Sequence, residues 1–328
     1  MANLLHSDLP SFDDEEGRTV PAGLPGVIDA HVHTFPDHVF RAIRRWFDEN
    51  AWHIRYPLST SEVFDFLLSH GVGHVIALQY AHAPGIARDL NRYLAEQCRH
   101  YPGQATGMAT VLPGEPEAEA ILQEAFDSGL GGLKLHAHVQ CFDLDADDSR
   151  RVLDVCRSHG KPAVIHIGKE PKSSAYRCDP YEICSADKLE RVLAAFPDLR
   201  ICVPHLGFSE IREYKELIEK HDNLWLDTTM ALTDYFPIED RIELGEYRID
   251  RIMYGSDFPN IPYAWDRELK CIGSSGLPAS DLERVLYRNA VEFFDLAVRL
   301  RKDSQKTTSS PSGAPRLLPR SDGGEVRN

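Results

Sequence analysis

Residues 26–35, GVIDAHVHTF, set two histidines, His31 and His33, one residue apart behind a short apolar run that carries Asp29. Side chains alternate along a strand, so an extended run puts both imidazoles on one face. Two imidazoles on one face of an otherwise apolar strand can grip a single metal ion from adjacent rungs. The plainer reading is a histidine pair hydrogen-bonded in a polar core, and H-x-H alone does not choose between them. What closes the other apolar runs decides the matter.

Those runs recur with a rhythm: VIDAH (27–31), HVIALQY (74–80), TGMATVL (106–112), GLKLH (132–136), PAVIH (162–166), RICVPH (200–205), NLWLDTT (223–229) and DRIMYGSD (250–257). Between them lie segments such as EAEAILQEAFDSG and EIREYKELIEKHD, with apolar residues at three- and four-residue intervals among charges. That spacing predicts helices. Strands alternating with helices imply a parallel sheet, and near-continuous apolar strands imply one covered on both faces. Eight such strands predict an α/β fold of the (β/α)8 TIM-barrel type, closed by helices from SDLERVLYRNAVEFFDLAVRL. A doubly wound open sheet is the alternative, and no G-x-G-x-x-G follows the first strand to support its dinucleotide-binding version.

Residues 1–24, with Pro, Gly and acidic clusters, read as a lead-in, and residues 25–302 as the barrel. The Ser-, Pro- and Gly-rich residues 303–328 read as a disordered tail. The formal charge of −15 argues against nucleic acid or an anionic membrane as partner. No apolar stretch approaches the roughly 18 residues of a spanning helix, and nothing resembles a signal peptide. Seven scattered cysteines without a C-x-x-C pair read as reduced thiols, so a cytoplasmic protein is expected. The expected partner is a small-molecule substrate, with a homodimer as a further expectation.

In such a barrel the active site forms at the C-terminal mouth of the strands. His166 ends the fifth run, His205 the sixth, and Asp257 closes the eighth, with Gly255 relieving backbone crowding beside it. One buried histidine is more often satisfied by a carbonyl than by a metal. Several imidazoles and a carboxylate closing strands in one sense would converge on one mouth, and that set suits Zn2+, with Mn2+ or Fe2+ as alternatives.

Taken together and in order, IDAHVH, VIHIG, VPHLG and YGSDFP resemble the amidohydrolase superfamily. The likeness is to its amidohydrolase-related branch, which holds aminocarboxymuconate-semialdehyde decarboxylase, resorcylate decarboxylases and dicarboxylate lactonases. It spans roughly residues 26–298. The resemblance implies one divalent metal held by His31, His33, His166 and Asp257, with His205 beside it activating water or substrate. A second metal, bridged by a carboxylated Lys134 on the fourth strand, is the alternative that binuclear members suggest. The expectation is instead that Lys134 is an ammonium anchoring a substrate carboxylate or a neighbouring Asp. His136 is a candidate substrate contact, His138 a loop residue, and Arg177 a carboxylate clamp. Cys178, Asp179, Tyr181 and Cys184 read as lid residues, and Trp46, Trp52, His53 and Arg55 as pocket-shaping loop residues. Asp29 reads as a structural hydrogen-bonding group.

This set implies a hydrolase acting on an amide, lactone or ester-like bond through metal-activated water, with Asp257 as base and His205 stabilising the developing charge. The same motifs serve nonoxidative decarboxylation of small aromatic or muconate-like acids, which is the first alternative. A non-catalytic binding barrel is the second. A phosphoesterase of the polymerase-and-histidinol-phosphatase type also opens on H-x-H, but it needs more acidic and histidine ligands than these strand ends supply.

Overall fold

All eight predicted strands form: β1 (Ile28–His33), β2 (His74–Leu78), β3 (Ala105–Gly107), β4 (Leu133–His136), β5 (Ala163–His166), β6 (Ile201–Val203), β7 (Leu224–Asp227) and β8 (Ile252–Met253). The computed structural model describes residues 14–169, 174–235 and 242–297. The proposed tail at 303–328 and the first 13 residues of the lead-in lie outside them. Strands β1 to β3 pair in parallel order, and so do β4 to β8. Two seams join these sets into a closed ring. Between β3 and β4, Ala109 N donates to Gly132 O and Lys134 N to Ala109 O, both at 2.7 Å. Between β8 and β1, His33 N donates to Phe258 O at 2.7 Å and Asp257 N to His31 O at 2.9 Å. The fold is the expected TIM barrel.

Its two apolar layers explain why the strands read as unbroken apolar runs. Leu133, Leu135, Ala163, Ile165, Ile201, Val203, Leu224 and Leu226 pack outward with helix residues such as Leu90, Leu94, Ile121, Leu122, Val192 and Leu217. The alternate positions Ile28, Ala30, Ile76, Leu78, Met108, Val164, Cys202, Trp225 and Met253 form a second cluster, completed by Ala290, Phe293 and Phe294 of the helix Asn289–Phe294. The C-terminal helical segment thus closes the barrel as expected. Helix starts carry local signals: Ser59 and Glu62 make a reciprocal capping box for Thr60–Ser69, and the Ser185 hydroxyl accepts from Lys188 N.

Part of the lead-in is anchored. The Asp14 carboxylate accepts from Ala264 N at 3.2 Å and Arg267 Nη1 at 3.3 Å, while Gly17 N donates to Asp266 Oδ2 at 3.1 Å. All seven cysteines are free thiols, as expected. No helix of the described residues is long and apolar enough to cross a membrane.

Candidate metal centre

Strand β1 does not alternate regularly. Its pairing with β2 shifts register between Asp29 and Val32. Ile28 and Ala30 belong to the inner cluster, yet Val32, two residues further, packs in the outer one. A bulge of this kind re-aims the residues that follow it. Asp29 therefore does not share the work of His31. Its Oδ1 accepts from His31 N and Ser256 N, each at 3.1 Å, and Ser256 Oγ donates to its Oδ2 at 2.5 Å. Asp29 pins β1 to the end of β8, the structural role expected of it.

His31 and His33 converge on Asp257: His33 Nε2 lies 3.0 Å and His31 Nε2 3.5 Å from Asp257 Oδ1. The three residues form a group whose donor atoms all lie within 4.8 Å of one another. Burial, and next the Lys134 cation, keeps the His31 imidazole far below its ordinary value, and burial lowers His33 as well. Both rings are therefore neutral, the state a metal ligand needs. Burial pushes the Asp257 carboxyl upward, but the hydrogen bond from His33 outweighs this and holds it well below the usual carboxylate range. Asp257 adopts φ +66°, a region that non-glycine residues seldom occupy and that functional sites retain.

A residue outside the strand-end motifs sets the geometry of His31. Asp227, closing β7, accepts from His31 Nδ1 through Oδ2 at 2.9 Å. Its Oδ1 accepts from His205 N at 3.1 Å and Thr229 N at 3.2 Å. A carboxylate only accepts, so the ring proton of His31 sits on Nδ1 and its Nε2 lone pair faces Asp257. Gly255 lets the chain pass: a Cβ there would lie 2.3 Å from Thr229 Oγ1 and 2.7 Å from His31 Cβ. Lys134 is wholly buried, with Nζ 3.3 Å from His31 Nε2. Burial pulls its ammonium down to about 8, against the opposing pull of Asp227 and Asp257.

His205 begins a tight turn in which it and Leu206, Gly207 and Phe208 all take positive φ. Its Nδ1 is 2.8 Å from Thr229 O, so it donates there, and its buried Nε2 has no hydrogen-bond partner. The ring is 4.7 Å from that of His166 and 5.8 Å from that of His31.

His166 falls in a different close group of donor atoms from His31, His33 and Asp257. Strand β4 ends at His136, and Ala137–Gln140 turns helical, so His138 is part of a helical turn rather than a loop or a strand face. His136, His138 and His166 form a second group with donor atoms within 4.8 Å of one another. His136 and His166 stack at 3.9 Å and 13°, with His138 at 4.5 Å and 90° to His136. Tyr80 joins the two groups, 5.7 Å from the His33 ring and 4.9 Å from that of His136. Tyr176 lies 4.6 Å from the His138 ring and stacks on Trp46 at 5.9 Å and 14°.

The other loop residues divide. Arg177 Nη2 donates to Val139 O at 2.9 Å and His82 O at 3.3 Å, tying its loop to those after β2 and β4. Cys178 donates to His138 O at 3.1 Å, Asp179 caps Pro180–Ile183 by accepting from Tyr181 N, and Cys184 is buried. Trp52 Nε1 donates to Asn260 O at 2.6 Å and Arg55 Nη1 to Asp14 O at 3.0 Å, whereas the exposed His53 pairs with Asp48.

A family model described as amidohydrolase matches residues 28–296. No curated protein matches. Among solved structures, an uncharacterized TIM-barrel protein from Bordetella bronchiseptica is 18% identical with a TM-score of 0.65, over 84% of this chain and 100% of that one. A 2,6-dihydroxybenzoate decarboxylase from Rhizobium is 17% identical with a TM-score of 0.60, over 83% and 99%. A 5-carboxyvanillate decarboxylase from Novosphingobium aromaticivorans, complexed with manganese and 4-hydroxy-3-methoxy-5-nitrobenzoic acid, is 17% identical with a TM-score of 0.59, over 86% and 100%. The family match runs from the first residue of β1 past the last strand, and on that extent the chain belongs to the amidohydrolase family of enzymes, as its strand-end motifs implied.

Proposed function

We propose that the protein is a metal-dependent, nonoxidative decarboxylase of a small aromatic or muconate-like carboxylic acid. The observation that carries this reading is the run of flat rings leading away from the His31–His33–Asp257 group. It passes through Tyr80, the stacked His136 and His166, His138 and Tyr176 to Trp46. Flat rings suit a flat substrate held with its polar end at the metal group. Decarboxylases of ring-bearing acids on the same barrel add support. This departs from the hydrolysis expected from the motifs, which the two activities share.

The donor set fits a divalent ion: two neutral imidazole nitrogens and one carboxylate oxygen converge, with His31 fixed in the ligating tautomer by Asp227. Zn2+ and Mn2+ both suit such a set. Such an ion supplies Lewis-acid polarisation of substrate oxygens. The chain's own residues do the rest. Tyr80 and His136 orient the ring, while Trp46 and Tyr176 limit water. With its Nδ1 proton held by Thr229 O, His205 takes a further proton from solvent on Nε2 and delivers it to the carbon bearing the carboxylate. The bond from that carbon to the carboxyl carbon then breaks and carbon dioxide leaves. Its electron pair stays with the ring, and His205 regains its proton from solvent.

Hydrolysis of an amide, lactone or ester-like bond stands as the second reading, favoured by one observation. The same unpartnered His205 Nε2 is equally placed to take a proton from water. Turnover in deuterium oxide separates them. Decarboxylation leaves deuterium on the vacated ring carbon, which mass spectrometry detects; a product with no carbon-bound deuterium sinks the proposal.

A further inference from the structure

We infer that Cys141 and Cys178 are a modification site, a thiol pair that a peroxide joins into a disulfide, tying the loop after β5 to the helical turn after β4. This goes beyond the proposed function, which uses neither thiol, and its test does not depend on that reading. Cys141 Sγ lies 3.4 Å and Cys178 Sγ 3.1 Å from one acceptor, the carbonyl oxygen of His138. Two sulfurs on one oxygen are neighbours, and Cys178 is hydrogen-bonded to Cys141 as well. The elements that carry them meet: the turn Ala137–Gln140, which Cys141 ends, packs against Pro180–Ile183, which starts two residues after Cys178. A disulfide forms only between cysteines whose backbones already lie close, and packed turns supply that.

Exposure sets the order of events. Cys141 is exposed and Cys178 half-buried, while Cys156, Cys184 and Cys202 are buried. The Cys141 thiolate therefore meets the oxidant first. Its sulfur takes one oxygen as the peroxide O–O bond breaks, and the departing hydroxide takes up the proton that Cys141 has lost. The sulfenic acid so formed is attacked at Cys141 Sγ by the Cys178 sulfur. The S–O bond breaks, and its hydroxyl leaves with the Cys178 proton as water. The thiols are oxidised by two electrons and the peroxide is reduced to water. Burial, and next the hydrogen bond with Cys141, pushes the Cys178 thiol up to about 12, so little of it is thiolate at neutral pH. Its target is an atom already beside it, and that proximity offsets the scarcity. The hydrogen bonds lost are weak, because S–H is a poor donor. The new bond holds a loop with contacts to the candidate site: Arg177 Nη2 donates to Val139 O and His82 O, and the Tyr176 ring lies 4.6 Å from that of His138.

The test starts from the full chain, reduced, desalted and treated with hydrogen peroxide. Its intact mass should fall by about 2 Da and return on reduction. A tryptic digest should join residues 135–150, which hold Cys141, to residues 178–188, which hold Cys178 and Cys184. Cys141→Ser and Cys178→Ser should lose the link, and Cys184→Ala should keep it. Amide hydrogen exchange at Tyr176 and Arg177 should slow by about tenfold or more in the oxidised protein. Oxidation of Cys141 to a sulfinic acid with no linked peptide overturns the inference. So does a link that survives Cys178→Ser, or exchange that the bond leaves unchanged. Circular dichroism checks that each variant folds. Where one does not, further cleavage of the wild-type digest before Asp179 decides: a link that stays with Cys178 supports the site, and one that stays with residues 179–188 overturns it.

Discussion

Replacing Asp227 by Asn should cost metal affinity without unfolding the barrel, and the hydrogen-bond pattern says why. Asp227 accepts three hydrogen bonds: from His205 N and Thr229 N on Oδ1, and from His31 Nδ1 on Oδ2. An amide has only one accepting atom, and two backbone N–H groups claim it, at 3.1 and 3.2 Å. The amide NH2 then faces His31 Nδ1 and donates to it. The ring proton moves to Nε2, the atom 3.5 Å from Asp257 Oδ1 that has to carry a lone pair for a metal. Loss of such an orienting carboxylate typically costs about 10–100-fold in metal affinity, or about 1.4–2.7 kcal/mol. The assay is titration of the chelator-stripped protein with zinc against a competing chromophoric chelator, with circular dichroism as the folding control. An affinity within twofold of wild type in a folded Asp227→Asn protein would refute the tautomer argument.

Three further perturbations follow from the same geometry. Gly255→Ala forces a Cβ against Thr229 and His31, so denaturant unfolding should show a loss of about 1–3 kcal/mol, and metal affinity should fall with it. His205→Ala should lower kcat by about 10²–10⁴ with metal content unchanged, because its role is proton transfer; a fall of less than tenfold contradicts that role. Asp29 gives a pH signature in the metal-free protein. Burial raises its carboxyl from 3.8 to about 7, against the lowering effect of its hydrogen bonds to Ser256 and His31. The folded state binds this proton more tightly than the unfolded chain does. Its contribution is therefore full below pH 3.8 and is lost as pH rises through about 7. Denaturant midpoints between pH 5 and 8 should fall for the wild type relative to Asp29→Asn; parallel profiles would contradict it.

Much of this architecture is legible in the chain because a parallel barrel buries both faces of every strand. IDAHVH, LKLH, AVIH and LWLD all lie in strands for that reason, and the polar residues that close them gather at one mouth. What escaped has local physical causes. Regular alternation predicts that Asp29 and His31 share a face, and the register shift in β1 breaks the premise. Asp227 was open to the same strand-end reasoning, since LWLDTT closes β7 as AVIH closes β5, but a residue that acts through another imidazole carries no ligand-like spacing of its own. The grouping of His166 with His136 and His138 depends on β4 stopping at His136 and turning helical at Ala137, a change of period that two residues of sequence do not announce. In a one-dimensional string Lys134 could anchor a substrate carboxylate or a neighbouring Asp, and only the packing sets its Nζ 3.3 Å from His31 Nε2 with Asp227 and Asp257 near enough to act on its charge.

The most direct measurement is product analysis of the zinc- or manganese-loaded protein across a panel of hydroxybenzoic and muconate-like acids, with lactones and amides of similar size alongside. Carbon dioxide and the decarboxylated ring or chain should be released in equal amounts from at least one acid, and chelation should abolish the release. Turnover confined to the lactones or amides, with acid formed and no carbon dioxide, would contradict the decarboxylase reading and restore hydrolysis.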